Sequence, residues 1–163
     1  MGFSQFVDGL VDLAEGAHHK ALATFQVAVA AFGEVRQKEN RGWALAPLGL
    51  AAREAGEPVL ARQYVAEALE AGVELGAFMP VMYGLPVAAL LLADQGTLER
   101  AVEVYACASR YGFVANSRWF DELVGQQLRT MAASLPAEAV EAAQEQGRRQ
   151  DWDVMAADLL KEL

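Results

Sequence analysis

Gly56-Glu57-Pro58-Val59-Leu60-Ala61-Arg62-Gln63-Tyr64-Val65-Ala66-Glu67-Ala68 reads as the end of one helix and the start of the next. Glycine enters the left-handed conformation at no steric cost, so Gly56 stops a preceding helix. Pro58 follows where an opening helical turn tolerates proline. Ala61 and Ala68 then share one face of the new helix, with Val65 between them. Small side chains there let two helices approach closely, and the larger residue fills the gap. The pattern predicts a helical hairpin.

The same pattern stands 40 residues to either side. Gly16, Gly56 and Gly96 are each followed at five residues by alanine (Ala21, Ala61, Ala101). Nine residues on comes a large side chain (Phe25, Val65, Tyr105), and twelve on a second alanine (Ala28, Ala68, Ala108). A period of this length marks stacked supersecondary units. First helices are expected near 3–15, 41–55, 79–95 and 116–131, and second helices near 18–33, 58–71, 98–111 and 136–147. Pro136 opens the last of these as Pro58 opens its counterpart. A final amphipathic helix near 151–162 has Asp151 as N-cap and Val154, Met155, Leu159 and Leu160 as its apolar stripe. Connections near 34–40, 72–78 and 112–116 contain glycine, asparagine or charge. Alternating β-branched runs and Asn-Gly or Asp-Gly turns are missing, so the fold class is all-α.

The 163 residues are 54% hydrophobic and 21% charged, which suits one domain over 1–163 with a real core. A net charge of −9 offers no footprint for phosphate backbones or anionic lipid, so neither nucleic acid nor membrane is an expected partner. The lone Cys107 excludes an internal disulfide framework and fits a cytoplasmic location. Asp8, Asp12 and Glu15 do not belong in a signal peptide, and Phe6 stands where a myristoylation site needs Ser or Thr. Leu75 to Ala93 carries no charge and approaches membrane-spanning length. Gly76, Pro80, Gly84 and Pro86 would break a lone lipid-facing helix there, so a helix buried within a bundle is the better reading.

Residues that carry chemistry are sparse. His18 and His19 are adjacent on a helix, diverge by about 100°, and chelate one metal poorly. Cys107 reads as a small buried hydrophobe. Neither a Gly-x-Ser-x-Gly elbow nor a glycine-rich phosphate loop occurs. Glu67, Glu70 and Glu74, like Asp121 and Glu122, read as solvated helix faces. Arg100, Arg148 and Arg149 are too scattered for a nucleic-acid patch. No catalytic residue, metal ligand or cofactor is assigned, and a non-enzymatic role is expected.

The glycine, alanine, large residue, alanine order resembles the tetratricopeptide repeat. Leu48-Gly49 falls where that family places Leu-Gly in its first helix; Gly9 matches in the first copy, and Ala89 replaces the glycine in the third. The 40-residue period is similar to the longer repeats of bacterial signalling ATPases and transcriptional activators of the STAND class, including MalT- and AfsR-type regulators. The run Leu135 to Arg148, alanine-rich and ending in Gly-Arg before a short helix, resembles the segment that often closes such regulators. The resemblance implies a right-handed superhelix of antiparallel hairpins with a C-terminal capping helix. First helices then line a concave groove. It places there Phe3, Phe6 and Leu10 from the first copy, Trp43, Leu50, Arg53 and Glu54 from the second, and Tyr83, Leu90 and Asp94 from the third. Such a groove takes a protein or peptide, or a small effector. Two other readings stay open: several of these residues pack as core, or the terminal repeats stack in self-association.

Overall fold

The computed structural model describes residues 2–163, and among them every regular element is helical. Helices α1 (Gly2–Ala14), α2 (His18–Glu34), α3 (Lys38–Glu54), α4 (Pro58–Leu75), α5 (Phe78–Asp94) and α6 (Leu98–Ala108) follow one another through connections of two or three residues. The expected loops at 34–40 and 72–78 therefore shrink to 35–37 and 76–77.

All five connections close in the same way. Residues 16, 36, 56, 76 and 96 sit in the left-handed region, with φ of 75°, 54°, 84°, 59° and 86°. At each, the left-handed residue and its successor donate N–H groups back into the preceding helix. Gly56 bonds the Arg53 carbonyl at 3.0 Å and Glu57 that of Ala52 at 2.8 Å. This pair of bonds satisfies carbonyls that a helix end leaves orphaned. Four of the five are glycine; the fifth is Arg36, a side chain held where Cβ sterics disfavour it. The backbone thus repeats every 20 residues, one helix at a time, where the side-chain pattern shows 40.

Within the first two hairpins the repeat residues do what their sizes dictate. Ala21, Ala28, Ala61 and Ala68 are fully buried, as are Phe25 and Val65. A Cβ on Gly9 would stand 2.8 Å from the Phe25 ring, and one on Gly49 2.7 Å from Val65 Cγ2. The first-helix glycine is the seat of the large residue opposite. In the third hairpin Ala89 stands at the glycine position, and Tyr105 is only half-buried, its hydroxyl close to Gly125.

α3 and α5 are the central helices. α5 is buried at 80–82 and throughout 84–93, which accounts for the absence of charge before Asp94. Among the described residues no helix is long and apolar enough to cross a membrane. Both helices contain an internal proline, Pro47 and Pro86, yet run unbroken.

Beyond α6 the regularity ends. α7 (Gly112–Ala115) forms in the expected 112–116 loop, and the helix expected over 116–131 runs without a break as α8 (Arg118–Phe120), a π-helical turn (Asp121–Gly125) and α9 (Gln126–Ala132). α10 (Ala137–Arg148) packs on α6 instead of pairing with α9, so the expected fourth hairpin is splayed. A Cβ on Gly147 would overlap the Glu103 carbonyl oxygen, so glycine lets α10 lie directly against the α6 backbone. α11 (Trp152–Leu159) folds back onto α4, α5 and α6 through Met155, Ala156 and Leu159. Val154 was expected in that stripe but is 51% exposed, and Ala156 takes its place.

Candidate interaction surface

α1, α3 and α5 bring the expected groove residues to one side of the molecule, but largely not as a free surface. Leu50 and Leu90 are 1% and 0% exposed and belong to the core. Phe6 is also buried, edge-on to Tyr83 at 5.7 Å between ring centroids. These three are corrected from ligand contacts to packing residues, because neighbouring helices enclose them on every side.

The chain's own residues 113–127 lie against this face. Phe113 and Phe120 pack on Tyr83, with centroids 5.2 and 5.7 Å away. The Trp119 indole N–H donates to the Leu10 carbonyl at 3.2 Å, tying α8 to α1 across 109 residues of sequence. Burial raises the Tyr83 hydroxyl pKa above the usual value.

At one end of the face Arg53, Glu54 and Asp94 do meet. Arg53 donates two parallel bonds to Asp94, Nε to Oδ2 at 2.6 Å and Nη2 to Oδ1 at 2.8 Å. Its Nη1 also reaches Glu54 and the Gln127 amide oxygen, and Gln127 Nε2 donates to Glu54 at 3.2 Å. Burial opposes the guanidinium charge, yet hydrogen bonding to Asp94, with Glu54 adding, holds its pKa above the ordinary arginine value. A bidentate pair of this geometry is a clasp between α3, α5 and α9. The arginine therefore joins helices, and truncating it removes packing as well as charge.

What stays open is an aromatic corner. Phe3 is 49% exposed and lies edge-on to Trp43 at 6.1 Å. Trp43 is half-buried, and its indole N–H is enclosed without an acceptor. Leu10 and Tyr83 are half-buried, under Trp119 and under Phe113 and Phe120 respectively.

The remaining candidates resolve simply. Cys107 is fully buried, its Sγ 3.4 Å from the Gln150 carbonyl, and burial pushes the thiol up to about 11. A thiol so placed stays protonated at neutral pH and serves packing. His19 is exposed and His18 half-exposed. Among the described residues no three His, Cys, Asp or Glu side chains converge as metal ligands would. A cleft of about 660 Å³ at the ends of α2, α3 and α4 sets Arg36, Lys38 and Arg41 against Glu67, Glu70 and Glu74, with Arg41 and Glu67 paired at 3.0 Å.

The sequence reading missed the occupant of the face, residues 113–127. Their aromatic side chains, Phe113, Trp119 and Phe120, were the available signal, but they follow no repeat spacing. Comparison of the chain with protein-family profiles, with curated proteins and with solved structures found no match.

Proposed function

We propose that the chain is a non-enzymatic interaction module whose first helices present an aromatic corner to a protein or peptide partner. In this reading the hairpins stack as a right-handed superhelix of tetratricopeptide type. The chain acts in the cytoplasm as the C-terminal module of a larger bacterial signalling or transcription regulator of the STAND kind. Partner occupancy biases the state of the attached domains by differential affinity. The supporting observation is the Phe3–Trp43 pair, an exposed ring against a half-buried indole on successive first helices. Aromatic anchors of this kind carry most of the energy at protein interfaces.

The test is selection of peptide ligands on the immobilised chain, followed by measured dissociation constants. Phe3→Ala and Trp43→Ala are expected to weaken selected ligands at least tenfold while the Phe3 variant keeps its thermal midpoint. Trp43→Phe keeps the ring and removes the unsatisfied N–H, so it is expected to bind as well as the parent. Ligands that bind the parent and both alanine variants equally overturn the reading.

Self-association is the second reading, and one observation favours it. Val7 and Val11 on α1 and Val27 on α2 are 55%, 50% and 49% exposed at the outer end of the helix stack. Light scattering over a concentration range decides: a mass that rises with concentration, and falls back in Val7→Glu, supports self-association. A constant monomer mass removes it.

A further inference from the structure

The splayed pair α9 and α10 flanks an open cleft over α6 of about 730 Å³. Small-molecule sites span roughly 300–1,000 Å³. Its floor is Val102, Tyr105 and Ala106 of α6, and its walls include Leu128 and Ala132 of α9 and Val140 of α10. The turn leading into α9, and α10 itself, each meet α6 at a glycine. A Cβ on Gly125 would stand 2.7 Å from the Tyr105 hydroxyl, and one on Gly147 would overlap the Glu103 carbonyl oxygen. The cleft is built into the packing and does not have to be opened by a ligand.

Its two ends differ in chemistry. α9 and α10 share the 133–136 connection, and at that end the lining is Ala133 and Leu135 of the connection and Ala137 of α10. Away from that connection the lining is Arg129 of α9, Arg148 of α10, and Ser109 and Arg110 just past the end of α6. Three guanidinium groups against one carboxylate, Glu141, line a cleft in a chain of net charge −9. Arg110 is engaged by the Gln150 carbonyl and by Asp151. Arg129 and Arg148 are 61% and 55% exposed, each paired to an exposed carboxylate, Asp121 at 2.8 Å and Glu145 at 3.6 Å. Arg148 has in addition only a 3.5 Å contact with the Gln144 amide. Exposed pairs are weak and exchange readily for another anion. The wall from Gly125 through α9 to Ala132 is about 12 Å long at the helical rise of 1.5 Å per residue, which suits a medium-length hydrocarbon chain.

We propose that this cleft binds an amphiphilic anion, its slim apolar body directed toward the 133–137 connection and its single carboxylate held at the Arg129 and Arg148 end. The site is separate from the aromatic corner of α1 and α3 and does not depend on it.

Calorimetric titration of the full chain with sodium octanoate, with 1-octanol as the uncharged counterpart, tests the proposal. Octanoate is expected to bind saturably at one site, and octanol at least tenfold more weakly. Arg129→Gln with Arg148→Gln should bring octanoate down to the octanol affinity and leave octanol unchanged. Ala106→Trp fills the floor and should abolish both; Val140→Trp repeats this from the opposite wall and covers the case in which the first variant misfolds. Absence of saturable octanoate binding by the parent chain overturns the proposal. So does octanol binding as tight as octanoate, or octanoate binding that survives the arginine pair or the tryptophan.

Discussion

The hairpin α3–α4 and the pair α9–α10 are both two helices in succession, yet one is closed and the other open. In α3–α4, Gly49 receives Val65, and Ala61 and Ala68 are fully buried beside it. Around α9–α10 the glycines point elsewhere: Gly125, in the π-helical turn before α9, toward Tyr105 and Gly147 of α10 toward Glu103, both on α6. Helices pair where missing side chains let their backbones meet. The placement of two glycines therefore sends α10 to α6 and leaves α9 facing a cleft.

The largest expected effect separates the closed hairpins from the irregular end. Phe25 is fully buried in its glycine seat, and Phe25→Ala should cost about 3–5 kcal/mol in chemical denaturation. Tyr105→Ala should cost distinctly less, because its ring is half-buried at the cleft. Equal losses would break the contrast between seated and unseated copies. Next comes overpacking. Ala61→Leu should destabilise by about 1–3 kcal/mol, whereas Ala132→Leu, beside the cleft, should stay within about 0.5 kcal/mol. A similar cost at both positions would mean that the cleft has no usable room.

A smaller effect tests the 20-residue backbone period. Arg36→Gly should stabilise by about 1 kcal/mol, since φ of 54° disfavours a side chain there. Gly56→Ala should destabilise by about the same amount, and an unmoved midpoint in both would show that the turns are not equivalent. The smallest effect concerns Asp12, which stands in the first copy where Ala52 and Leu92 stand in the next two. It is 3% exposed and accepts from Lys20 Nζ at 2.6 Å and Thr24 Oγ1 at 3.0 Å. Hydrogen bonding to Lys20 lowers its pKa below the ordinary 3.8, against the opposing effect of desolvation. The folded state then binds fewer protons than the unfolded one in the window below that value. The stability it contributes is present above about pH 3.8 and is lost as pH falls through the depressed value. Asp12→Asn should flatten the acid limb of a stability–pH curve, and an unchanged limb would assign acid unfolding to other carboxylates.

The hairpins could be read in advance because their signals are local and repeated. Gly16, Gly56 and Gly96 occupy left-handed turns, and all six repeat alanines are buried. The finer backbone period was hidden because Arg36 breaks the glycine series and Gly76 falls between its members. The groove was read least well. Phe6, Leu50 and Leu90 lie on the expected side but under other helices, and the sign of burial is not carried by helical register alone. Trp43, Phe3, Arg53, Glu54 and Asp94 do come together in two clusters, of which only the aromatic one is left partly open.

By itself the sequence determined an all-helical chain, the hairpin register of its first three copies, and the burial of the helix expected near 79–95, charge-free up to Ala93. Each of these follows from contacts within about 20 residues, where helical period, turn glycines and small-residue faces act directly. Only the tertiary structure decided that residues 113–127 cover the first-helix face, that α10 leaves α9 for α6, and that a cleft results. Those outcomes depend on meetings such as Trp119 with Leu10 and Gly147 with Glu103, between residues 44 to 109 positions apart. Such pairings are chosen by how whole surfaces fit, and no local spacing encodes them.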